Sequence, residues 1–207
     1  MIENLFFVWP ILGYLFGSIS SAVIMSKLFG LSDPRNVGSG NPGATNVLRS
    51  GNKFAAVLTL IGDVAKGLIP VALAQHYGMS VGVVACVAIA AFMGHLFPIF
   101  FGFKGGKGVA TAIGVFLALS WQLSTTFGVA WLLTAAITRY SSLASLIASA
   151  AAGIASFAIF NQQAKLQLIG AVFWIMAFLF QRHRENIERL KAGTESKIGS
   201  KSKQKTP

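Results

Sequence analysis

The sequence predicts an all-α, polytopic integral membrane protein. Seven transmembrane helices are expected, the fourth and fifth short, with the N-terminus outside and the C-terminus cytoplasmic. Three observations carry this. Hydrophobic residues make up 54% of the 207 residues and charged residues 11%, whereas a soluble domain carries roughly 25% charged residues. The apolar residues fall in runs near the ~20 that a helix needs to cross a bilayer. The 17 Lys and Arg, against 6 Asp and Glu, gather at the edges of those runs and in a tail. This composition excludes a soluble enzyme, a disordered chain, a coiled coil and a zinc-finger protein. The net charge of +11 speaks for membrane orientation and anionic ligands rather than nucleic acid, because the cations flank hydrophobic runs.

The first run, Leu5–Leu28, follows no basic segment and exceeds the ~7–15-residue core of a signal peptide, so it reads as a retained span. Ala55–Gln75 and Val81–Phe101 are the second and third. The 30 residues Val109–Thr138 are too many for one crossing and few for two. The polar break Ser120–Thr126 divides them into two short helices, or a hairpin that does not fully span. Leu143–Phe160 and Leu166–Phe180 complete the seven. With the C-terminus inside, 15 of the 17 cations lie on inner segments. Lys165 lies outside and Lys66 within the second helix. Six crossings would move several cations outside, against the positive-inside rule. Residues 1–195 are expected to form one membrane domain, and 196–207 a basic, disordered cytoplasmic tail touching anionic lipid. A single Cys, Cys86, rules out an intrachain disulfide or thiolate metal site.

Three inner segments exceed what a connector needs. Gly38–Arg49 reads GSGNPGATNVLR. Its small residues let backbone amides approach a ligand, Ser39, Asn41, Thr45 and Asn46 offer neutral hydrogen bonds, and Arg49 offers a fork for phosphate. Phe101–Gly108 reads FGFKGGKG, with Lys104, Gly105, Gly106 and Lys107 immediately before a helix N-terminus, a setting for an anion. It is not a Walker A loop, because Gly108 and not Ser or Thr follows Lys107. His183–Leu190 reads HRENIERL. If the last helix continues, His183 and Asn186 share a face at i,i+3, and Glu185 with Arg189 supports the helix. Ser141 or Ser142 reads as the cap of the sixth helix, with Ser145 in its first turn able to offer a hydroxyl to an anion. His95 reads as structural and His76 as an outer-surface residue. Asp63 and Lys66, i,i+3 within the second helix, form either a buried ion pair or a substrate-facing polar patch. No HExxH, HxxxxD or GxSxG pattern is present.

The segments SGNPGATNVLR (Ser39–Arg49), FGFKGGKGVAT (Phe101–Thr111) and HRENIERL (His183–Leu190), in this order, resemble the bacterial acyl-phosphate-dependent glycerol-3-phosphate acyltransferases of the PlsY type. The resemblance spans Gly13 to Glu195 and includes GSISSA at Gly17–Ala22 and GHLFPIFFG at Gly94–Gly102. It implies a seven-helix inner-membrane enzyme that moves a fatty acyl group from acyl phosphate to the first hydroxyl of glycerol 3-phosphate. The products are lysophosphatidic acid and phosphate. Carried over by motif, Ser39, Arg49, Lys107, Ser145, His183 and Asn186 are the expected catalytic set. Asn41, Thr45, Asn46, Lys104, Gly105 and Gly106 are the expected substrate-binding residues. No cofactor and no metal are expected. The partners implied are the two substrates, membrane lipid and an upstream enzyme that forms the acyl phosphate. The rival from another class is a small anion transporter or channel, which would line a path across the membrane with the same kinds of group.

Overall fold

The computed structural model describes residues 6–160 and 166–199. Lys165 and the tail from Ser200 onward lie outside the described residues. Among the described residues the chain is helical throughout: α1 Val8–Gly17, α2 Ser21–Leu28, α3 Ala44–Arg49, α4 Lys53–His76, α5 Val81–Leu96, α6 Val109–Leu119, α7 Trp121–Thr138, α8 Ser141–Ile159, α9 Leu166–Arg182 and α10 Arg184–Lys191. A short 3-10 turn, Ile99–Phe101, follows α5.

Four helical stretches are long and apolar enough to cross a bilayer: Val8–Leu28, Lys53–His76, Val81–Phe101 and Ser141–Ile159. A fifth is Leu166–Arg182 taken with Arg184–Lys191, a pair bent by 56°. α6 has 11 residues, or about 16 Å at the helical rise, roughly half the hydrocarbon core. α7 has 18 residues, or about 27 Å. At 18 residues α7 is no shorter than α5 with 16 or α9 with 17, so of the two helices expected to be short only α6 is, and the division between them is narrower than the polar stretch suggests. Ser120 alone is extended, and Trp121 to Thr126 already form the first turns of α7. A helix can absorb those hydroxyls, because Ser124 and Thr126 bond carbonyl oxygens of Ile113 and Gln122.

The first run is not one continuous helix. It breaks at Ser18-Ile19-Ser20 between α1 and α2. A break inside an apolar environment leaves carbonyls that need donors. The Lys66 ammonium of α4 donates to the Ile19 oxygen at 2.8 Å, and Ser18 Oγ caps the Tyr14 oxygen at 2.8 Å.

Helices pack closely where glycine removes the side chain. A Cβ on Gly17 would stand 2.0 Å from the Ala91 oxygen, and one on Gly94 2.3 Å from the Tyr14 oxygen, so α1 and α5 meet backbone to backbone. Gly67 and Gly114 do the same for α4 and α6. This small-residue contact is how membrane helices gain dispersion energy without a hydrophobic drive between them. Phe92, Leu96, Phe116, Phe127, Ile175 and Leu179 fill the centre among α5, α6, α7 and α9. Phe7, Leu132, Ile137 and Ile154 face outward, as lipid-facing residues do. A second small core of Ala22, Val47, Ala55 and Ala56 pins α3 against α2 and α4. This anchors the Gly38–Arg49 segment at one end of the bundle.

Candidate active site

Two glycines shape the loops at that end. Gly38 has a left-handed φ of +60°, and a Cβ there would strike Asn46 Oδ1 at 2.3 Å. Asn46 is buried and fully engaged. Its Nδ2 donates to the Pro34 and Val37 oxygens, and its Oδ1 accepts from the Ser39 amide at 3.0 Å. Asn46 therefore holds the loop and fixes Ser39, instead of offering its amide to a ligand. Arg35, ion-paired to Asp33 at 2.6 Å, donates to the Phe101 oxygen at 3.2 Å and ties this loop to the glycine loop. In that second loop, the Gly106 amide donates to the His95 oxygen at 3.2 Å, and a Cβ on Gly106 would stand 2.3 Å from His95 Nε2. Only glycine permits that approach.

The loops enclose an open cleft of about 340 Å³ lined by Ser39, Asn41, Gly105, Lys107, Arg182 and Arg184, with Gly40, Phe97, Gln181 and Glu185 completing the wall. Lys107 projects from the loop before α6 and donates to Asn186 Oδ1 of α10 at 2.5 Å. Asn186 in turn donates to Glu195 Oε1 at 2.7 Å. Glu195 also accepts from Ser142 Oγ at 2.8 Å and from Arg189 Nε at 2.7 Å. The second and third segments thus join in one polar network, and Ser39 of the first lines the same cleft as Lys107.

Electrostatics set the state of these groups. Burial pushes the Lys107 ammonium down to about 8; Arg189 adds repulsion, while Glu195 and Glu185 oppose the shift. Burial alone would raise the Glu195 carboxyl, but the hydrogen bonds from Asn186, Arg189 and Ser142 outweigh it and hold the group below its ordinary value. His183 sits at the elbow between α9 and α10, where the helix axis turns, so the continuous helix expected through this residue is interrupted. It is 3% exposed. Its Nδ1 lies 2.8 Å from the Leu179 oxygen. A carbonyl only accepts, so Nδ1 carries a hydrogen and Nε2 is the ring nitrogen that can accept.

The other expected residues are placed less centrally. Arg49 closes α3 on the exposed side, where its Nη2 donates to Ser196 Oγ at 2.8 Å. Ser196 neighbours Glu195, so Arg49 approaches the network from the tail side. Ser145 is 4% exposed, accepts from Trp131 Nε1 at 3.1 Å and donates to the Ser141 oxygen at 2.8 Å. Its hydroxyl joins α7 to α8, as back-bonding serines do in apolar helices. Neither Ser141 nor Ser142 caps α8; Tyr140 stands at the cap without a side-chain bond, and Ser142 turns to Glu195 instead. Thr45 and Lys104 are exposed and do not line the cleft.

Sequence reasoning assigned no role to Arg182 and Arg184 of the cleft wall, nor to Glu195. Arg182 clamps the glycine loop, donating to the Gly105 oxygen at 2.9 Å and the Gly106 oxygen at 3.2 Å, and it lies over the Phe97 ring. It reads as a topogenic charge because nothing in its spacing sets it apart. Glu195 follows the α10 terminus and shares no helical spacing with Asn186. The signal it offered was a lone carboxylate in a strongly cationic stretch. The folded part also runs past residue 195: Ile198 exchanges backbone and guanidinium bonds with Arg139, at 2.7 and 3.0 Å.

The model of the family "Glycerol-3-phosphate acyltransferase" matches residues 7–193. A glycerol-3-phosphate acyltransferase of Methylobacillus flagellatus is 54% identical over 195 residues, covering 94% of this chain and 98% of the relative. Another, from Dechloromonas aromatica, is 54% identical over 190 residues, covering 92% of this chain and 94% of the relative. Among solved structures, the chain is similar to the crystal structure of PlsY, an integral membrane glycerol 3-phosphate acyltransferase, in its glycerol 3-phosphate form. The TM-score is 0.87 at 40% identity, with 94% of this chain and 96% of that one covered. The lysophosphatidic acid form of PlsY superposes with a TM-score of 0.86 at 38% identity over 94% of this chain and 95% of that one.

Proposed function

The chain belongs to the glycerol-3-phosphate acyltransferase family and is a multi-pass membrane acyltransferase; from that premise we propose that it transfers a fatty acyl group from acyl phosphate to the sn-1 hydroxyl of glycerol 3-phosphate. The observation that carries this reading is the cleft lined by Lys107, hydrogen-bonded to Asn186, together with Ser39 and Arg182. Both proposed substrates carry phosphate, and such a cleft suits two anions. The hydroxyl oxygen attacks the acyl carbonyl carbon, the carbon–oxygen bond to phosphate breaks, and inorganic phosphate leaves with lysophosphatidic acid as the other product. The hydroxyl proton passes to a phosphate oxygen or to Nε2 of the His183 ring. Phosphate is a good leaving group, so no covalent enzyme nucleophile is needed. Positioning and preorganised charge supply the catalysis. Lys107 and Arg49 stabilise phosphate charge, Ser39 orients the donor, and Asn186 positions the acceptor. Ser145, engaged with Trp131 and Ser141 in the ligand-free chain, is proposed to turn its hydroxyl to the acyl phosphate with Ser39.

Purified protein in detergent should form lysophosphatidic acid from acyl phosphate and glycerol 3-phosphate, and not from acyl-CoA run in parallel. Efficient transfer from acyl-CoA with acyl phosphate inert would reject the donor. The same activity should survive thorough EDTA treatment, because the proposed charge stabilisation comes from side chains; loss restored by one divalent ion would overturn it.

The location proposed is the bacterial inner membrane, with the cleft on the cytoplasmic side. Seven crossings are proposed, α1 with α2 forming the first, α6 the short fourth and α7 the fifth. The cationic cleft and the Arg139 end of α7 then face inward together, in keeping with the positive-inside rule. Asn36 and Thr194 are exposed at this end. Single cysteines there, in a Cys86→Ala background, should label only from the inner face. Labelling of either on intact cells by an impermeant reagent would contradict this topology.

A further inference from the structure

We propose that Asp63, Lys66 and His95 form a positioning cluster that holds the Gly105–Lys107 loop against the cleft and so acts on the reaction through Lys107. The inference rests on the acyl transfer proposed above. All three side chains are buried, at 2%, 5% and 6% exposure. Asp63 pairs with Lys66 at 2.8 Å, one turn along α4. The pair is buried and lines no part of the cationic cleft, Lys66 reaching only the wall of an apolar groove between α1, α2 and α4, so of the two sequence readings the geometry gives the buried ion pair.

A buried pair confined to one helix gains little, since apolar residues of similar volume can replace it. This pair reaches two other elements. Lys66 donates to the Ile19 oxygen at the α1–α2 break. Asp63 Oδ1 faces His95 Nδ1 at the end of α5, at 3.8 Å. That separation is too long for a hydrogen bond, and His95 Nδ1 has no hydrogen-bond partner among the described residues. The ring is therefore not seated to optimise its contact with Asp63. It is seated against the glycine loop: its Nε2 faces Gly106 at the distance that excludes a Cβ, and its own carbonyl accepts the Gly106 amide. On the opposite side of the loop, Arg182 holds the Gly105 and Gly106 oxygens. The loop lies between these two supports, and Lys107 is its next residue. His95 and its partners touch no cleft surface. They fix where Lys107 begins.

Two measurements on purified full-length protein test this. First, amide hydrogen exchange should be about tenfold or more faster across the Gly105–Gly108 peptide in His95→Ala than in wild type, with α4 and α6 unchanged, because a local opening is made easier. Unchanged exchange in that peptide would overturn the proposal, and this result does not depend on what reaction the protein performs. Second, a double-mutant cycle of His95→Ala with Lys107→Ala reads kcat/KM for acyl transfer. His95→Ala should lower it roughly 10- to 100-fold, the loss expected when a reacting group is misplaced by a fraction of an ångström to one ångström. In the Lys107→Ala background the same change should cost less than about threefold, since what it positions is already gone. Equal losses in both backgrounds would mean a general structural role and would overturn the proposal. His95→Gln, which keeps a polar side chain of similar reach, should recover most of the activity. Should His95→Ala fail to fold, His95→Leu, which fills the space without a polar edge toward Gly106, carries the same cycle and exchange measurement. Wild-type protein inert toward acyl phosphate and glycerol 3-phosphate would instead defeat the reaction reading, while the exchange result still decides the positioning of the loop.

Discussion

Lys107→Ala should lower kcat/KM by about 100- to 1,000-fold, the scale for removing one preorganised donor at a centre of developing charge. The Nζ it removes is half-sheltered, bonded to Asn186 and beside Arg182. Among the described residues no other cleft cation bonds Asn186, so neighbouring charges do not replace it. Insertion should be unaffected, because orientation counts many inner cations together. A pH signature accompanies the loss. With its pKa pushed down to about 8, Lys107 is charged below that pH and loses its proton above it. Wild-type kcat/KM, which reports the free enzyme, should therefore fall as pH rises through about 8. A bound phosphate dianion favours the ammonium, so the corresponding fall in kcat should lie at higher pH. Lys107→Arg should abolish the alkaline limb, since guanidinium does not titrate there. Steady-state kinetics across pH 6 to 10, buffered at constant ionic strength, read all three effects. An unchanged alkaline limb in Lys107→Arg would assign the titration to another group.

Arg49→Lys is the second large effect. Arginine grips phosphate with a planar fork, whereas lysine offers a point charge. The guanidinium ends a short helix on the rim of the site and bonds Ser196 through one nitrogen. If it turns its fork to a substrate phosphate, this charge-conserving change should cost on the order of 2–4 kcal/mol in transition-state stabilisation. That is roughly a 30- to 1,000-fold drop in kcat/KM. A purely topogenic charge would give no change, because orientation treats Lys and Arg alike. Near-normal kinetics for both substrates in correctly inserted protein would remove the phosphate clamp from Arg49. Ser196→Ala provides a contrast: it removes the tail's hold on the guanidinium without removing the fork, and its kinetics should stay within a few fold of wild type on the scale of one exposed hydrogen bond.

The helical class was legible because bilayer solvent leaves so few alternatives. Runs such as Val81–Phe101 have to be helical if their backbone polar groups are to be satisfied. The break at Ser18-Ile19-Ser20 was not legible, because Ser and Ile are tolerated inside a membrane helix and the group that stabilises the break, Lys66, lies 47 residues away. Ser39, Lys107 and Asn186 could be picked out by residue type and by their place beside turns and helix starts. That Ser39 and Lys107 line one cleft with Asn186 bonded behind Lys107 depends on the α3–α4 anchor, the Gly106 approach and the elbow at His183, none of which has a local signature. Asn46 shows the opposite difficulty. Its amide looks like a ligand group in sequence, yet its buried position gives both ends of that amide to the loop backbone. Glu195 was missed because its partners Ser142, Asn186 and Arg189 come from two different helices. The three neutralising bonds become visible only when α8 and α10 are side by side.

The central claim is that one cleft brings acyl phosphate and glycerol 3-phosphate together and passes the acyl group directly between them. The most direct test follows phosphate and lysophosphatidic acid together after rapid mixing of purified protein with acyl phosphate, with and without glycerol 3-phosphate. The account predicts that phosphate appears only when glycerol 3-phosphate is present, in equal amount with lysophosphatidic acid and without an acyl-protein adduct by mass spectrometry. A burst of phosphate equal to the enzyme concentration in the absence of glycerol 3-phosphate, accompanied by acylated protein, would contradict it.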